Sequence, residues 1–257
     1  SDKDDYKFVG LSELKNNCEM YIKNKKTDFK TEFSKKGKYK IKIIIKDPKK
    51  LKSAQNMFYN CSSLVKATFI LNEPSIKNMK SMFNNCSSLD TLDLRINTSS
   101  VKDMSQMFYN CGKLKEISGI TDFKTEKLTK MKEMFFKCFS LKILDLNFDT
   151  TGVSDMGGVF DGCRMLQSLK GVDKFNTENV TNMHNMFSCC SRLDYLELAF
   201  NTSNVTDMSS MFLRCENLME ISGISKFSTE KVPNMNSIFY CCYNLRSIEM
   251  NINPSEN

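Results

Sequence analysis

Between Leu193 and Phe200 apolar and polar residues take turns. Leu196, Leu198 and Phe200 fall on one side of an extended chain; Tyr195, Glu197 and Ala199 fall on the other. A period of two predicts a half-buried strand. Next come Val205, Met208, Met211, Phe212 and Cys215, spaced mostly by three and four, which predicts a short helical or 3-10 segment that buries one stripe. Asn204 with Asp207, and Ser100 with Asp103, have the cap and the third-position acid of a capping box at its start. Leu218 opens the following strand.

The pattern recurs. A phrase Met/Ile/Val-Phe-x-x-Cys-x-x-Leu occurs eight times, with its cysteines at Cys61, Cys86, Cys111, Cys138, Cys163, Cys190, Cys215 and Cys242, separated by 25 or 27 residues. A repeat of that length predicts stacked coils, none of which can bury its apolar face alone. The expected fold is an α/β, right-handed leucine-rich-repeat solenoid with one short parallel strand and one short helical or 3-10 segment per coil. Short coils read Leu-Asp-Leu or Leu-Glu-Leu at residues 92–94, 144–146 and 196–198. Long coils instead carry a glycine, Gly119, Gly171 or Gly223, and two extra residues, which fits a bulge or wider corner at the strand's exit. Short and long alternate, as expected from duplication of a two-coil unit.

The first 52 residues stand apart from the repeat. They hold 16 lysines against 8 acidic residues, whereas the remainder holds 21 basic against 22 acidic. A helix is expected from Leu11 to about Lys23 and a strand over Tyr39 to Lys46, forming an N-terminal α/β cap over the first coil. The expected division is therefore a basic cap at 1–52, eight coils at 53–252 and a tail at 253–257. Basic runs attract anionic partners, but a lysine-rich solvated surface accounts for these runs more simply, and no nucleic-acid partner is expected. No segment approaches the ~18 apolar residues of a membrane span, so a membrane contact would need an anchor absent from this chain.

Eleven cysteines raise the question of disulfides or zinc. One cysteine per coil instead predicts a column of buried thiols with parallel Cβ directions, poor for bridging. There is no Cys-x-x-Cys pair to begin a zinc site. Cys189 and Cys241 precede column cysteines in alternate coils, too far apart to bridge, and Cys18 has no partner in the repeat. Catalytic motifs are equally sparse: no glycine-rich phosphate loop, no Gly-x-Ser-x-Gly, and a single histidine, His184. No enzyme activity, cofactor or metal is expected. The Asn-x-Ser/Thr triplets at Asn97, Asn179, Asn201 and Asn204 follow from composition.

The segment Thr202 to Phe212 (Thr-Ser-Asn-Val-Thr-Asp-Met-Ser-Ser-Met-Phe) and the phrase Cys61-Ser62-Ser63-Leu64 resemble the BspA-like leucine-rich-repeat proteins, in the branch found in mycoplasma lipoproteins, other bacteria and some protists. The resemblance covers roughly residues 53–252. It implies a secreted or cell-surface protein that binds a protein or glycan on another cell and has no shared catalytic residues. An intracellular repeat scaffold is the alternative. Lys130, Asn182 and Asn234 depart from the pattern, standing where the family repeat has Asp before Met.

Outward strand positions are the expected contact surface. Asp93, Asp145, Glu197 and Glu249 recur every 52 residues, with Glu116 and Glu220 on long coils and Tyr195 as the one aromatic. They predict an acidic stripe suited to a basic or polar partner. Solubilising charge on an exposed sheet is the competing explanation, and calcium is disfavoured because no clustered Asp-x-Asp loop is present.

Overall fold

The computed structural model describes residues 18–22, 25–28 and 41–250. The solenoid is present, with one parallel strand in each of seven successive coils: β4 Lys66–Leu71, β5 Thr91–Ile96, β6 Glu116–Ser118, β7 Ile143–Asp145, β8 Ser168–Lys170, β9 Tyr195–Glu197 and β10 Glu220–Ser222. Pairing runs β4-β5-β6, β7-β8 and β9-β10, so it breaks after each long coil from β6 onward. Registers place Leu92 beside Ile117, Leu144 beside Leu169 and Leu196 beside Ile221.

The stretch expected to be a helical or 3-10 segment is not a continuous helix, although its local bonds reach three residues back as in a 3-10 turn. It is a staircase of turns tied to the next coil. In the second coil Met82, Asn84 and Cys86 donate their N–H groups to Met79, Ser81 and Phe83 three residues back, while Ser81, Phe83 and Asn85 donate to Ser105, Met107 and Tyr109 of the third coil at 2.8–2.9 Å. A helix would use these donors internally. Here half of them bind one coil to its neighbour.

Two residues of every turn segment take positive φ: the fifth before the column cysteine and the one directly before it. They are Asn56 and Asn60 in the first coil, Glu133 and Lys137 in the fourth, Gly158 and Gly162 in the fifth, and Ser237 and Cys241 in the eighth. Cys189 and Cys241 thus fill the same left-handed position as Asn60, Asn85, Asn110 and Arg214.

The expected capping boxes are likewise replaced. Asp207 Oδ1 accepts from Ser209 N–H at 2.9 Å, and Asp103 Oδ1 from Ser105 N–H at 2.9 Å, each opening the first turn from two residues upstream. Asn204 does not cap; its Nδ2 donates to the Glu178 carbonyl of the preceding coil at 2.9 Å. Asn182 and Asn234 form the same turn onto His184 and Asn236. Of the three departures from the repeat, Lys130 alone lacks a side-chain acceptor.

Inside, matching side chains form rows. Phe58, Phe83, Phe108, Phe135, Phe160, Phe187, Phe212 and Phe239 stack with centroids 5.1–6.1 Å apart. The column thiols from Cys61 to Cys215 are buried as expected and Cys242 is partly buried; these eight, with Cys189 and Cys241, are free. They also do more than fill space. From Cys86 to Cys242 each S–H donates to the Phe carbonyl of the coil before, at 3.0–3.2 Å. Burial pushes the Cys111 thiol up to about 12 and raises Cys138, Cys190 and Cys215 well above the usual thiol range, so these sulfurs stay protonated donors. A row of buried threonines, Thr98, Thr150, Thr177 and Thr202, donates to the following coil's carbonyls at 2.8–3.0 Å.

Each long coil turns at its glycine into a 3-10 turn: Ile120–Asp122, Val172–Lys174 and Ile224–Lys226. This is the wider corner expected at the strand's exit. Gly119, Gly171 and Gly223 have φ of 82–88°, and a Cβ on any of them would fall on the carbonyl oxygen of Leu94, Leu146 or Leu198 in the preceding coil.

At the N-terminal end β1 (Cys18–Ile22) pairs antiparallel with both β2 (Lys25–Thr27) and β3 (Ile41–Ile45). The helix expected from Leu11 to Lys23 is therefore a strand in its described part; residues 11–17 and 23 lie outside the described residues. Its local pattern suits either period, and pairing with the strongly alternating β3 decides it. Met20 is buried, and Ile43 and Ile45 pack against the solenoid core, so β3 closes the apolar end of the first coil. Of the tail and the last coil's exit, residues 251–257 lie outside the described residues.

Two substitutions test this architecture by equilibrium denaturation. Gly171→Ala should destabilise the fold by more than the ~1–2 kcal/mol that a left-handed residue costs, because the Leu146 carbonyl must also move. Arg214→Gly, at an exposed left-handed position, should stabilise it by about 0.5–1 kcal/mol.

Candidate functional site

Residues on the outer side of the strands are presented by the pleat alone, since their neighbours at i±1 are buried in the rows. The structure places six of the seven predicted positions on strands, and all seven side chains are at least partly exposed. Asp93 is partly covered, whereas Glu116, Asp145, Tyr195, Glu197, Glu220 and Glu249 are exposed. Glu249 lies beyond the last strand, three residues after Arg246, whose N–H donates to the Met219 carbonyl.

The residues do not form one continuous acidic stripe. Two columns run along the face. One carries Lys66, Thr91 and Glu116, then Ile143 and Ser168, then Tyr195 and Glu220; the other carries Thr68, Asp93 and Ser118, then Asp145 and Lys170, then Glu197 and Ser222. Within each paired segment an acid sits beside a hydroxyl, a lysine or an aromatic rather than beside another acid. The breaks in pairing fall between β6 and β7 and between β8 and β9. Asp93 is also neutralised locally: Arg95 forks onto it, with Nε 3.2 Å from Oδ1 and Nη2 2.9 Å from Oδ2. Among the described residues Asp145, Glu197 and Glu220 take part in no ion pair.

Ile143 belongs to this surface and was not among the predicted residues. It is 64% exposed, more than Tyr195 at 47%, and the two occupy the same column on alternate coils. The period-two rule that identified Tyr195 also places Ile143 outward in Ile143-Leu144-Asp145; charge alone drew attention past it. The apolar pair lies within a frame of four carboxylates, Glu116 and Glu220 along its own column and Asp145 and Glu197 beside it.

On the opposite, turn side lies a second polar group that the sequence did not reveal. The fifth coil has glycine at three outward turn positions, Gly157, Gly158 and Gly162, and neighbouring side chains lean over them: the His184 ring over Gly157, Glu133 Cγ over Gly158 and the Lys137 stem over Gly162. Asp161 is held among these groups, beside the end of a Tyr109–Phe136 ring stack with centroids 4.5 Å apart. Burial pushes the Asp161 carboxyl up to about 6, against the opposing pull of a Ser188 hydrogen bond and the charges of Lys137 and His184; Glu133 adds to the rise. The nearest coils cover the three glycines, so the group is a packed polar cluster rather than an open cleft. Among the described residues no group of three or more His, Cys, Asp or Glu is placed to hold a metal ion.

Comparison with known proteins gives the family. The model of a family described as "Mycoplasma protein of unknown function, DUF285" matches residues 5–94, 77–170 and 165–255. The chain belongs to the DUF285 family. No curated protein matches it. Two solved structures are similar to this DUF285 chain. A leucine-rich repeat protein from Bacteroides ovatus shares 18% identity over 67% of this chain and 41% of its own length, with a TM-score of 0.42. A leucine rich cell surface protein from Faecalibacterium prausnitzii shares 16% identity over 74% of each chain, with a TM-score of 0.24. The DUF285 chain thus spans about two fifths of the length of the Bacteroides protein.

The Asp161 cluster makes stability depend on pH with a defined sign. A carboxyl whose folded pKa is raised to about 6 binds its proton more tightly when folded, so its contribution is full below about pH 4 and is lost as pH rises through 6. Asp161→Asn should therefore stabilise the fold at pH 7.5 by ~1–2 kcal/mol, after allowance for partial exposure. Thermal melts at pH 7.5 and pH 4 should show the gain at the higher pH and little at the lower.

Proposed function

We propose that this chain is a non-enzymatic recognition protein, displayed on or released from a cell, that binds a protein or glycan partner through the outer face of its strands. The observation that carries the reading is the pair Ile143 and Tyr195, exposed at mid-solenoid and framed by Glu116, Asp145, Glu197 and Glu220. Large apolar side chains inside a polar frame are what a binding surface needs: the centre gives up its water and the rim fixes orientation. A stacked fold supports this use, because its stability comes from rows in the interior and leaves the outward strand positions free of structural duty.

The cell-surface or secreted address is supported by the resemblance of the repeat phrase to BspA-like proteins. A long, shallow face also suits a macromolecule better than a small substrate, which needs a concave site that surrounds it. The intracellular scaffold remains the alternative with the same fold.

The reading is tested with labelled chain and surface-biotinylated animal cells. The native chain should capture surface proteins or glycans, and a variant combining Ile143→Asp with Tyr195→Ala should lose that capture about tenfold or more while keeping its circular dichroism and melting temperature. Capture that survives the double substitution would place recognition on another face.

A further inference from the structure

Resting on the strand face as the recognition surface, we propose that its partner presents arginine side chains, and that Asp145 and Glu197 receive them. The molecule contains its own example of this contact. Arg95 stands two residues after Asp93 on the same face of β5 and sets two N–H donors against two carboxylate oxygens. Such a fork is specific to a planar guanidinium; a lysine ammonium meets a carboxylate as a point charge.

Asp145 and Glu197 occupy the Asp93 position one and two duplication units further on. The residues that replace Arg95 in those coils are Asn147 and Ala199, neither of which can supply a cation. Both carboxylates are exposed. They therefore repeat the acid half of the Asp93–Arg95 pair without its arginine; Lys170 stands beside Asp145 in register but forms no ion pair with it.

The apolar neighbours fit the same partner. Tyr195 lies two residues before Glu197 and Ile143 two residues before Asp145, on the same outward side of each strand. A guanidinium can stack on the tyrosine ring while its fork meets the glutamate, and the aliphatic stem of an arginine covers an isoleucine well. The two acids are two coils apart; across these coils the phenylalanine row steps 5.7 and 5.5 Å, roughly 11 Å in all, a span that the flexible stems of two arginines can bridge. A polyproline II segment with arginine at every third residue presents them on one side about 9.3 Å apart. The partner's chemistry is thus an extended polypeptide with regularly spaced arginines. Lys170, the register partner of Asp145, stands in the column between the two acids and competes for them.

The test is fluorescence anisotropy with labelled peptides of repeated Arg-Pro-Leu, Lys-Pro-Leu and Glu-Pro-Leu triplets at matched length and physiological salt. The arginine peptide should bind about tenfold more tightly than the lysine peptide, and the glutamate peptide should not bind. Asp145→Asn with Glu197→Gln should weaken the arginine peptide by about tenfold or more, and Lys170→Ser should tighten it. Asp93→Asn, whose acid already holds Arg95, should leave it nearly unchanged. Equal binding of the arginine and lysine peptides, or indifference to the double substitution, overturns the proposal. If the arginine peptide fails while Ile143→Asp with Tyr195→Ala still abolishes capture of cell-surface material, the partner chemistry is wrong and the recognition face stands. If both fail, both are wrong.

Discussion

Backbone hydrogen bonds from each coil's turns to the next coil hold this molecule in register. In the turn segment one set of amides closes local turns and the alternate set crosses to the following coil. That crossing fixes the coil-to-coil stagger, so every other row inherits it: phenylalanine over phenylalanine, thiol over thiol, threonine over threonine. An unpaired buried amide costs more than a paired one contributes, so sliding one coil by a residue would break a whole set of bonds at once.

The side chains of the repeat are best understood as servants of that ladder. Asparagine and glycine at the two left-handed positions let the chain turn every four residues, as Asn56 with Asn60 and Gly158 with Gly162 do. The aspartate or asparagine before methionine opens the first turn. The column cysteine is small enough for the gap between coils, and its S–H takes the second lone pair of a carbonyl already engaged by a backbone amide; Phe83 O, for example, receives both Cys86 N–H and Cys111 S–H. Serine would fit but carries a hydroxyl that is more costly to bury, and valine would crowd the coil before it.

Because the interior and the turn side are committed to stacking, diversity collects on the outer strand face. There a change from Arg95 to Asn147 to Ala199 alters whether the acid two residues before is paired within its own strand. The polar group around Asp161 is the exception on the turn side: glycines in one coil admit the side chains of its neighbours, and a carboxyl is held partly dry among them.

The repeat period, the alternation within each strand and the single cysteine per coil determined the solenoid, the buried rows and the outward placement of Asp93, Asp145, Tyr195 and Glu197. The wider corner of the long coils was legible too, in Gly119, Gly171 and Gly223. The turn ladder was not, because inward side chains at Val205, Met208, Met211, Phe212 and Cys215 suit a helix and a four-residue turn staircase equally well; only the recurring Asn and Gly before the cysteine hinted at left-handed backbone. Tertiary structure also turned residues 18–22 into a strand, since strand pairing with Ile41–Ile45 is a long-range choice. It alone showed Arg95 on Asp93 and the covered Asp161. A one-dimensional pattern states which side of the chain a residue faces; which neighbour it meets there depends on how coils are staggered, and that is set by hydrogen bonds between segments 24–30 residues apart.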